Sequence, residues 1–206
     1  HGLNWSGYVN YFDTWAIDPE DIFANATLNE KHHLSEEYIA TKVKLDPDKR
    51  NNLIGIQSQL FGETVRAEHI LNEMLLPNLL VFAERAWASH PNWVNLPAEQ
   101  QKAPMLDQWN VFVNTLGQHA IPFLNHQYED LNIHLPKPGG VIENDTLFVR
   151  TQFPGIKICY SIDGSLPNSK TKIYQKPVVV GADAKIMLRA FDFNDKGGED
   201  IEVVRY

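Results

Sequence analysis

The spacing of apolar positions changes once along the chain, near residue 135, and the two patterns predict two kinds of structure. Up to about residue 134, short apolar runs alternate with stretches of helical period, the pattern of βα units. Gly7-Tyr8-Val9-Asn10-Tyr11-Phe12 is an aromatic run of strand type. Asp18-Pro19-Glu20-Asp21 then offers a helix cap, a proline for the first turn and acids for the helix dipole, so a short helix is expected at Ile22-Phe23-Ala24. Leu53-Ile54-Gly55-Ile56-Gln57-Ser58-Gln59-Leu60 reads as a second strand. Helical period resumes at Thr64, with Val65, Ile70, Leu71, Met74, Leu75, Leu79 and Phe82 on the apolar face. Pro77 should kink this helix or split it in two. A further amphipathic stretch runs from about Ala103 to Phe123, with Met105, Trp109, Phe112, Val113 and Leu116 on one side.

Leu135-Pro136-Lys137-Pro138-Gly139-Gly140 interrupts the pattern and reads as a stiff linker. Beyond it come short alternating runs at Thr146–Thr151, Ile156–Ile162, Val178–Val180, Lys185–Phe191 and Ile201–Val204. Asp163-Gly164 and Asp195-Lys196-Gly197-Gly198 mark turns between them. The expected organisation is therefore α/β plus β. Residues 1–134 hold βα units, residues 135–140 a Pro/Gly linker, and residues 141–206 a small β-sandwich of immunoglobulin-like type.

Composition narrows the function classes. At 206 residues and 43% hydrophobic content the chain can build one or two real cores. The formal net charge of −8 is uneven. Residues 1–136 hold 8 basic against 17 acidic residues (−9), and residues 137–206 hold 10 against 9 (+1). Neither half has the basic stripe that a phosphate backbone requires, so nucleic acid is not an expected partner. No apolar run has the length of a membrane span. Cys159 is the only cysteine, which rules out an intrachain disulfide or a thiolate metal cluster. His32-His33 lacks a further ligand at metal spacing, so neither a metal nor another cofactor is expected. The chain opens at His1 directly in a strand-type run, which reads as a cut end.

In a strand, Tyr11 and Asp13 would share one face, and Glu63 closes the next strand candidate 50 residues later. At the C-terminal ends of neighbouring barrel strands, a phenol and two carboxylates would ring one pocket. Carboxylates suit sugars because each accepts hydrogen bonds from two adjacent hydroxyls. Trp15, just past the strand end, either stacks on a sugar at the rim or packs in the core.

Three motifs carry a family resemblance: Tyr11-x-Asp13, Phe61-Gly62-Glu63, and Leu76-Pro77-Asn78-Leu79-Leu80-Val81-Phe82-Ala83-Glu84-Arg85-Ala86-Trp87. Together they resemble the C-terminal part of a bacterial β-N-acetylhexosaminidase of the chitobiase type, glycoside hydrolase family 20. The resemblance implies the last units of a (β/α)8 TIM barrel and exo-acting release of terminal N-acetyl-D-hexosamine from chitin oligosaccharides. Catalysis would be substrate-assisted and retaining, with the acetamido oxygen as nucleophile. It implies that Tyr11 donates to the acetamido carbonyl oxygen and that Asp13 and Glu63 hold ring hydroxyls. Phe61 stands where the family usually has the tryptophan that packs against the sugar. The family's Asp-Glu acid pair follows a His-x-Gly-Gly run that this sequence lacks, so these residues alone are expected to be inactive. A periplasmic or secreted location also comes from the resemblance alone.

The competing reading is a non-catalytic carbohydrate-binding or packing fragment, which needs the same residues but no acid. An incomplete barrel would expose sheet edges through which the chain self-associates. Glu84 and Arg85 read as an ion pair fixing a helix to the barrel, and Cys159 as inert. In the second half, Phe153, Tyr160 and Tyr174 either touch polysaccharide or belong to a domain that braces the barrel. Asn4-Trp5-Ser6, Asn25-Ala26-Thr27 and Asn144-Asp145-Thr146 fit the glycosylation acceptor pattern, which is common by chance.

Overall fold

The structure is a computed structural model that describes residues 10–23 and 34–205. It divides into two compact units, His1–Asn110 and Val111–Tyr206. Gly7–Val9, His32-His33 and the acceptor patterns at Asn4 and Asn25 lie outside the described residues.

The described part of the first unit is helical. Helix α1 (Tyr11–Trp15) forms because Asn10 caps it, its Oδ1 accepting from the backbone of Phe12 at 2.9 Å and of Asp13 at 3.3 Å. Helix α2 (Glu36–Ala40) is capped in the same way by Ser35. After a 3₁₀ turn at Pro47–Asn52 comes Leu53–Leu60, which has no regular secondary structure and pairs with no strand among the described residues. Helices α3 (Glu68–Leu75) and α4 (Asn78–Trp87) follow. They are separate because Pro77 has no N–H and its ring clashes with the preceding turn, as its position predicts. A second 3₁₀ turn at Asn92–Asn95 leads into α5 (Ala98–Thr115).

The unit's core is aromatic. The Trp15 ring lies 5.4 Å from that of Trp109 and 6.2 Å from that of Trp93, while Phe12 meets Trp109 edge-on at 5.2 Å. Buried indoles need partners for their N–H groups, and Trp93 donates its own to Gln108 Oε1 at 2.9 Å. Tyr11, Ala16, Val81 and Met105 are buried with them.

Neither expected strand of this unit forms over its described residues. Tyr11-Phe12 belongs to α1, and Leu53–Leu60 has no ladder. Strand propensity is mostly packing against neighbours, and the described residues of this unit supply no neighbouring strand. The short helix expected from Asp18 is absent over residues 18–23. The acids there close turns instead, Asp18 Oδ1 accepting from Glu20 N at 3.0 Å and Asp21 Oδ1 from Phe23 N at 3.0 Å.

The second unit contains the end of α5, a π turn at Leu116–Ala120, helix α6 (Ile121–Gln127) and two three-stranded antiparallel sheets. One sheet runs β1 (Gly139–Glu143), β2 (Thr146–Arg150), β4 (Val178–Val179). The other runs β3 (Lys157–Ser161), β5 (Ile186–Phe191), β6 (Gly197–Val203). β1 and β2 are joined by a two-residue turn in which Asn144 and Asp145 both have positive φ, 47° and 57°, matching the strands' twist. Leu147, Tyr160, Val180, Ile186, Leu188 and Val203 form the core that the sheets share.

The Pro/Gly segment is packed. Leu135, Pro136 and Pro138 are buried, and Gly139-Gly140 open β1 in place of ending a linker. The division between units falls ahead of that segment, inside α5. The π turn that follows α5 meets the loop between β2 and β3 directly. A Cβ on Gly117 would lie 2.1 Å from the Pro154 carbonyl oxygen, so only glycine admits this approach.

Candidate active site

The residues expected to bind sugar fall into two groups. Tyr11, Asp13 and Trp15 sit on α1, with Tyr11 and Trp15 buried and Asp13 half-buried. Phe61 and Glu63 are exposed, at the end of the unpaired run and in the turn after it. The shared face expected for Tyr11 and Asp13 is lost. Two residues apart on a helix they are about 200° apart around the axis, where a strand would have aligned them. Trp15 is only 3% exposed, placed by its ring contacts inside the aromatic core.

The helix α4 positions α1 from inside the unit. Val81 and Arg85, one turn apart, both face inward and are buried. Arg85 Nη1 donates to the Trp15 carbonyl at 3.2 Å, and its guanidinium carbon lies 5.9 Å from the Trp15 ring centre. Burial pushes the Arg85 guanidinium below its ordinary pKa, and nearby Glu84 and Asp18 pull it back. The expected Glu84–Arg85 pair is therefore not a pair of equals. Glu84 is exposed, and the hydrogen bond of Arg85 goes to a backbone oxygen on α1.

The acidic loop after α1 meets basic groups from separate segments. His90 Nδ1 lies 3.6 Å from Asp18 Oδ1 and 3.8 Å from Glu20 Oε2. Arg50 Nε lies 3.4 Å from Glu20, and Lys44 Nζ 3.1 Å from Asp21. Asp18 is buried, and its Oδ2 has no hydrogen-bond partner among the described residues. Sequence spacing reveals neither His90 nor the burial of Asp18, because the two lie 72 positions apart with no motif between them. Among the described residues no three His, Cys, Asp or Glu side chains are grouped to hold a metal, and no helix is long and apolar enough to cross a membrane.

In the second unit, Phe153 and Tyr160 are buried, which removes them as polysaccharide contacts. Tyr174 is half-buried and stitched to β2, its hydroxyl accepting from Val149 N at 3.1 Å and donating to the Leu147 carbonyl at 3.4 Å. Cys159 is fully buried and its thiol pKa is raised, chiefly by desolvation, which makes it unreactive.

Residues 5–90 match the glycosyl hydrolase family 20 catalytic domain, and residues 125–199 match the chitobiase/β-hexosaminidase C-terminal domain. The three motifs fall within the first match, from Tyr11 to Trp87. The chain is similar to a β-hexosaminidase of Vibrio vulnificus, 29% identical over 174 residues, covering 76% of this chain and 20% of the relative. It is also similar to an N,N'-diacetylchitobiase of Vibrio harveyi, 34% identical over 119 residues, covering 53% of this chain and 13% of the relative. The aligned part is thus a fifth or less of each relative's length.

Proposed function

We propose that this chain serves an exo-acting β-N-acetylhexosaminidase, a glycoside hydrolase that removes terminal N-acetyl-D-hexosamine from chitin-type oligosaccharides. One observation carries the reading: the catalytic-domain match and the C-terminal-domain match follow each other along one chain, with Tyr11-x-Asp13 and Phe61-Gly62-Glu63 inside the first. In this reading Tyr11 donates to the acetamido oxygen, and that oxygen attacks the anomeric carbon in place of an enzyme carboxylate. Asp13 and Glu63 hold ring hydroxyls through charge-assisted hydrogen bonds. Phe61 offers its ring face to the sugar. Trp15 supports the site from the core. The general acid comes from polypeptide outside these 206 residues, as does the remainder of the barrel.

The barrel assignment is supported by what the first unit leaves uncovered. Ile54 is fully exposed, Val43 nearly so, and Leu53, Leu60 and Phe61 are exposed along the unpaired run. Exposed apolar side chains in such number favour an interface here. Further barrel strands would give Leu53–Leu60 its ladder and bring Glu63 to the same rim as the α1 segment. Without them, the same surface drives self-association of the chain. The two-sheet unit is read as an immunoglobulin-like sandwich, and the site of action as periplasm or the cell exterior.

The test is hydrolysis of a chromogenic N-acetyl-β-glucosaminide by the 206-residue chain and by the longer gene product containing it. Activity confined to the longer polypeptide is the expected result. Activity in the short chain would reassign the acid to residues given no such role here, and silence in both would leave a non-catalytic binding or packing module.

A further inference from the structure

We propose that Arg85 is a positioning residue for the sugar site, fixing the end of the segment that carries Tyr11 and Asp13 and thereby setting where those two side chains stand. The inference rests on the hexosaminidase reading above.

The last carbonyls of a helix lack partners within it, and a cation at that end is favoured by the helix dipole. At the end of α1, the Phe12 carbonyl accepts from Ala16 N at 2.8 Å and the Thr14 carbonyl from Ile17 N at 3.5 Å. Trp15 offers the next carbonyl, and Arg85 Nη1 takes it at 3.2 Å from a side chain only 7% exposed. The same guanidinium lies over the Trp15 ring, so one residue grips the backbone and the side chain of Trp15 together.

A buried guanidinium is a costly way to gain stability. Buried charges are often replaceable by apolar residues with no loss, and their best-attested use is to specify one arrangement among several. The surroundings of Arg85 fit that use. Asp18, three residues beyond Trp15, is 2% exposed and attracts the guanidinium, yet Arg85 Nη1 donates to the main chain of α1. His90, Arg50 and Lys44 then hold the acidic loop that follows. The α1 segment is thus fixed at its C-terminal side by one rigid fork and a set of ion pairs. Tyr11 lies one turn before Trp15, so a shift of the Trp15 carbonyl carries Tyr11 with it. A nucleophile oriented by Tyr11 is sensitive to shifts well under an ångström.

The experiment uses whichever polypeptide, this chain or a longer one containing it, hydrolyses the chromogenic N-acetylglucosaminide. Arg85→Lys keeps the charge and loses the planar fork. It should lower kcat about tenfold or more with KM within about threefold, because the lost interaction orients the attacking atom in the transition state. Tyr11→Phe should lower kcat by itself, and adding Arg85→Lys to it should cost little more, since the two act as one unit. Arg85→Met serves as the deeper truncation where it folds.

Unchanged kcat in Arg85→Lys, or losses that multiply in the double variant while the folded fraction falls, would leave Arg85 a packing residue and overturn the inference alone. Tyr11→Phe without effect, or no hydrolysis in either polypeptide, would overturn the site reading and this inference with it.

Discussion

Asn125 and Asp192, 67 positions apart, meet inside the second unit, the Asn125 Nδ2 donating to Asp192 Oδ2 at 3.2 Å. The other Asp192 oxygen accepts from Asn194 N at 2.9 Å and Lys196 N at 2.8 Å. Asn194 Nδ2 reaches back to the Asn125 and Glu129 carbonyls, and Lys196 Nζ to those of Glu129 and Leu131. The loop between β5 and β6 thereby closes over the end of α6. Asp192→Ala strands three donors, one of them on the fully buried Asn125, and should cost roughly 2–4 kcal/mol, by the desolvation cost of unpaired groups. Urea unfolding monitored on the second unit measures it; a cost under about 0.5 kcal/mol, the range of bland surface changes, would show the network to be dispensable.

Gly117→Ala places a methyl carbon against the Pro154 carbonyl, where only 2.1 Å is available. The obstacle is main chain and cannot rotate away. Overpacking of this kind costs about 1–3 kcal/mol or more. The melting temperature should fall by several degrees, whereas Gly181→Ala, where an added Cβ meets nothing within 4 Å, should leave it nearly unchanged.

Trp15 and Trp87 predict opposite outcomes for the same substitution. Trp15→Ala empties a site packed by three aromatic rings and should destabilise the first unit by about 3–5 kcal/mol. Trp87 is 89% exposed, and Trp87→Ala should lie within about 0.5 kcal/mol of the parent in the 206-residue chain. In a longer polypeptide whose added strands cover Trp87, the second value should rise toward the first. Equal values in both lengths would show that nothing covers that face.

Glu63→Gln keeps shape and removes charge. In the proposed hexosaminidase it should weaken kcat/KM by roughly 2–4 kcal/mol, the usual cost of breaking a buried charged hydrogen bond. Steady-state kinetics on the chromogenic substrate decide it, and an unchanged kcat/KM would take Glu63 out of the site.

Cys159 gives a pH-dependent signal with a definite sign. Its thiol pKa is raised in the folded state, so the neutral form is favoured there. Any stability tied to it is fully present below the unfolded thiol's pKa and is lost as pH rises toward the folded one. Iodoacetamide at pH 8 should label the native chain slowly and the urea-unfolded chain rapidly. Fast labelling of native protein would contradict the burial.

Strands of the second unit were legible because alternation survives wherever one face is buried. The runs at residues 146–151, 156–162 and 185–191 all became strands within a residue or two of their expected ends. β1 was not legible, since glycine and proline hide strand signal and Gly139-Gly140 reads as a hinge. In the first unit the helix break at Pro77 was readable from one residue. The strand runs were not realised, because a ladder needs a partner that local sequence cannot supply, while Asn10 provides a local alternative by capping α1. For the proposed site, the motifs single out Tyr11, Asp13, Phe61 and Glu63, but pairwise electrostatics such as His90 beside Asp18 leave no periodic trace.

The clasp of residues 192–196 over α6 also sets what can be inherited or transplanted as a piece. A cut at residue 141, where strand alternation begins, would sever β1 and leave Asp192, Asn194 and Lys196 reaching for a helix no longer attached. The portable module is the helix with its sheets. A gene fusion that moved this module onto another enzyme would have to carry α6 along, and the family match that begins at residue 125, inside that helix, has the extent such a module requires.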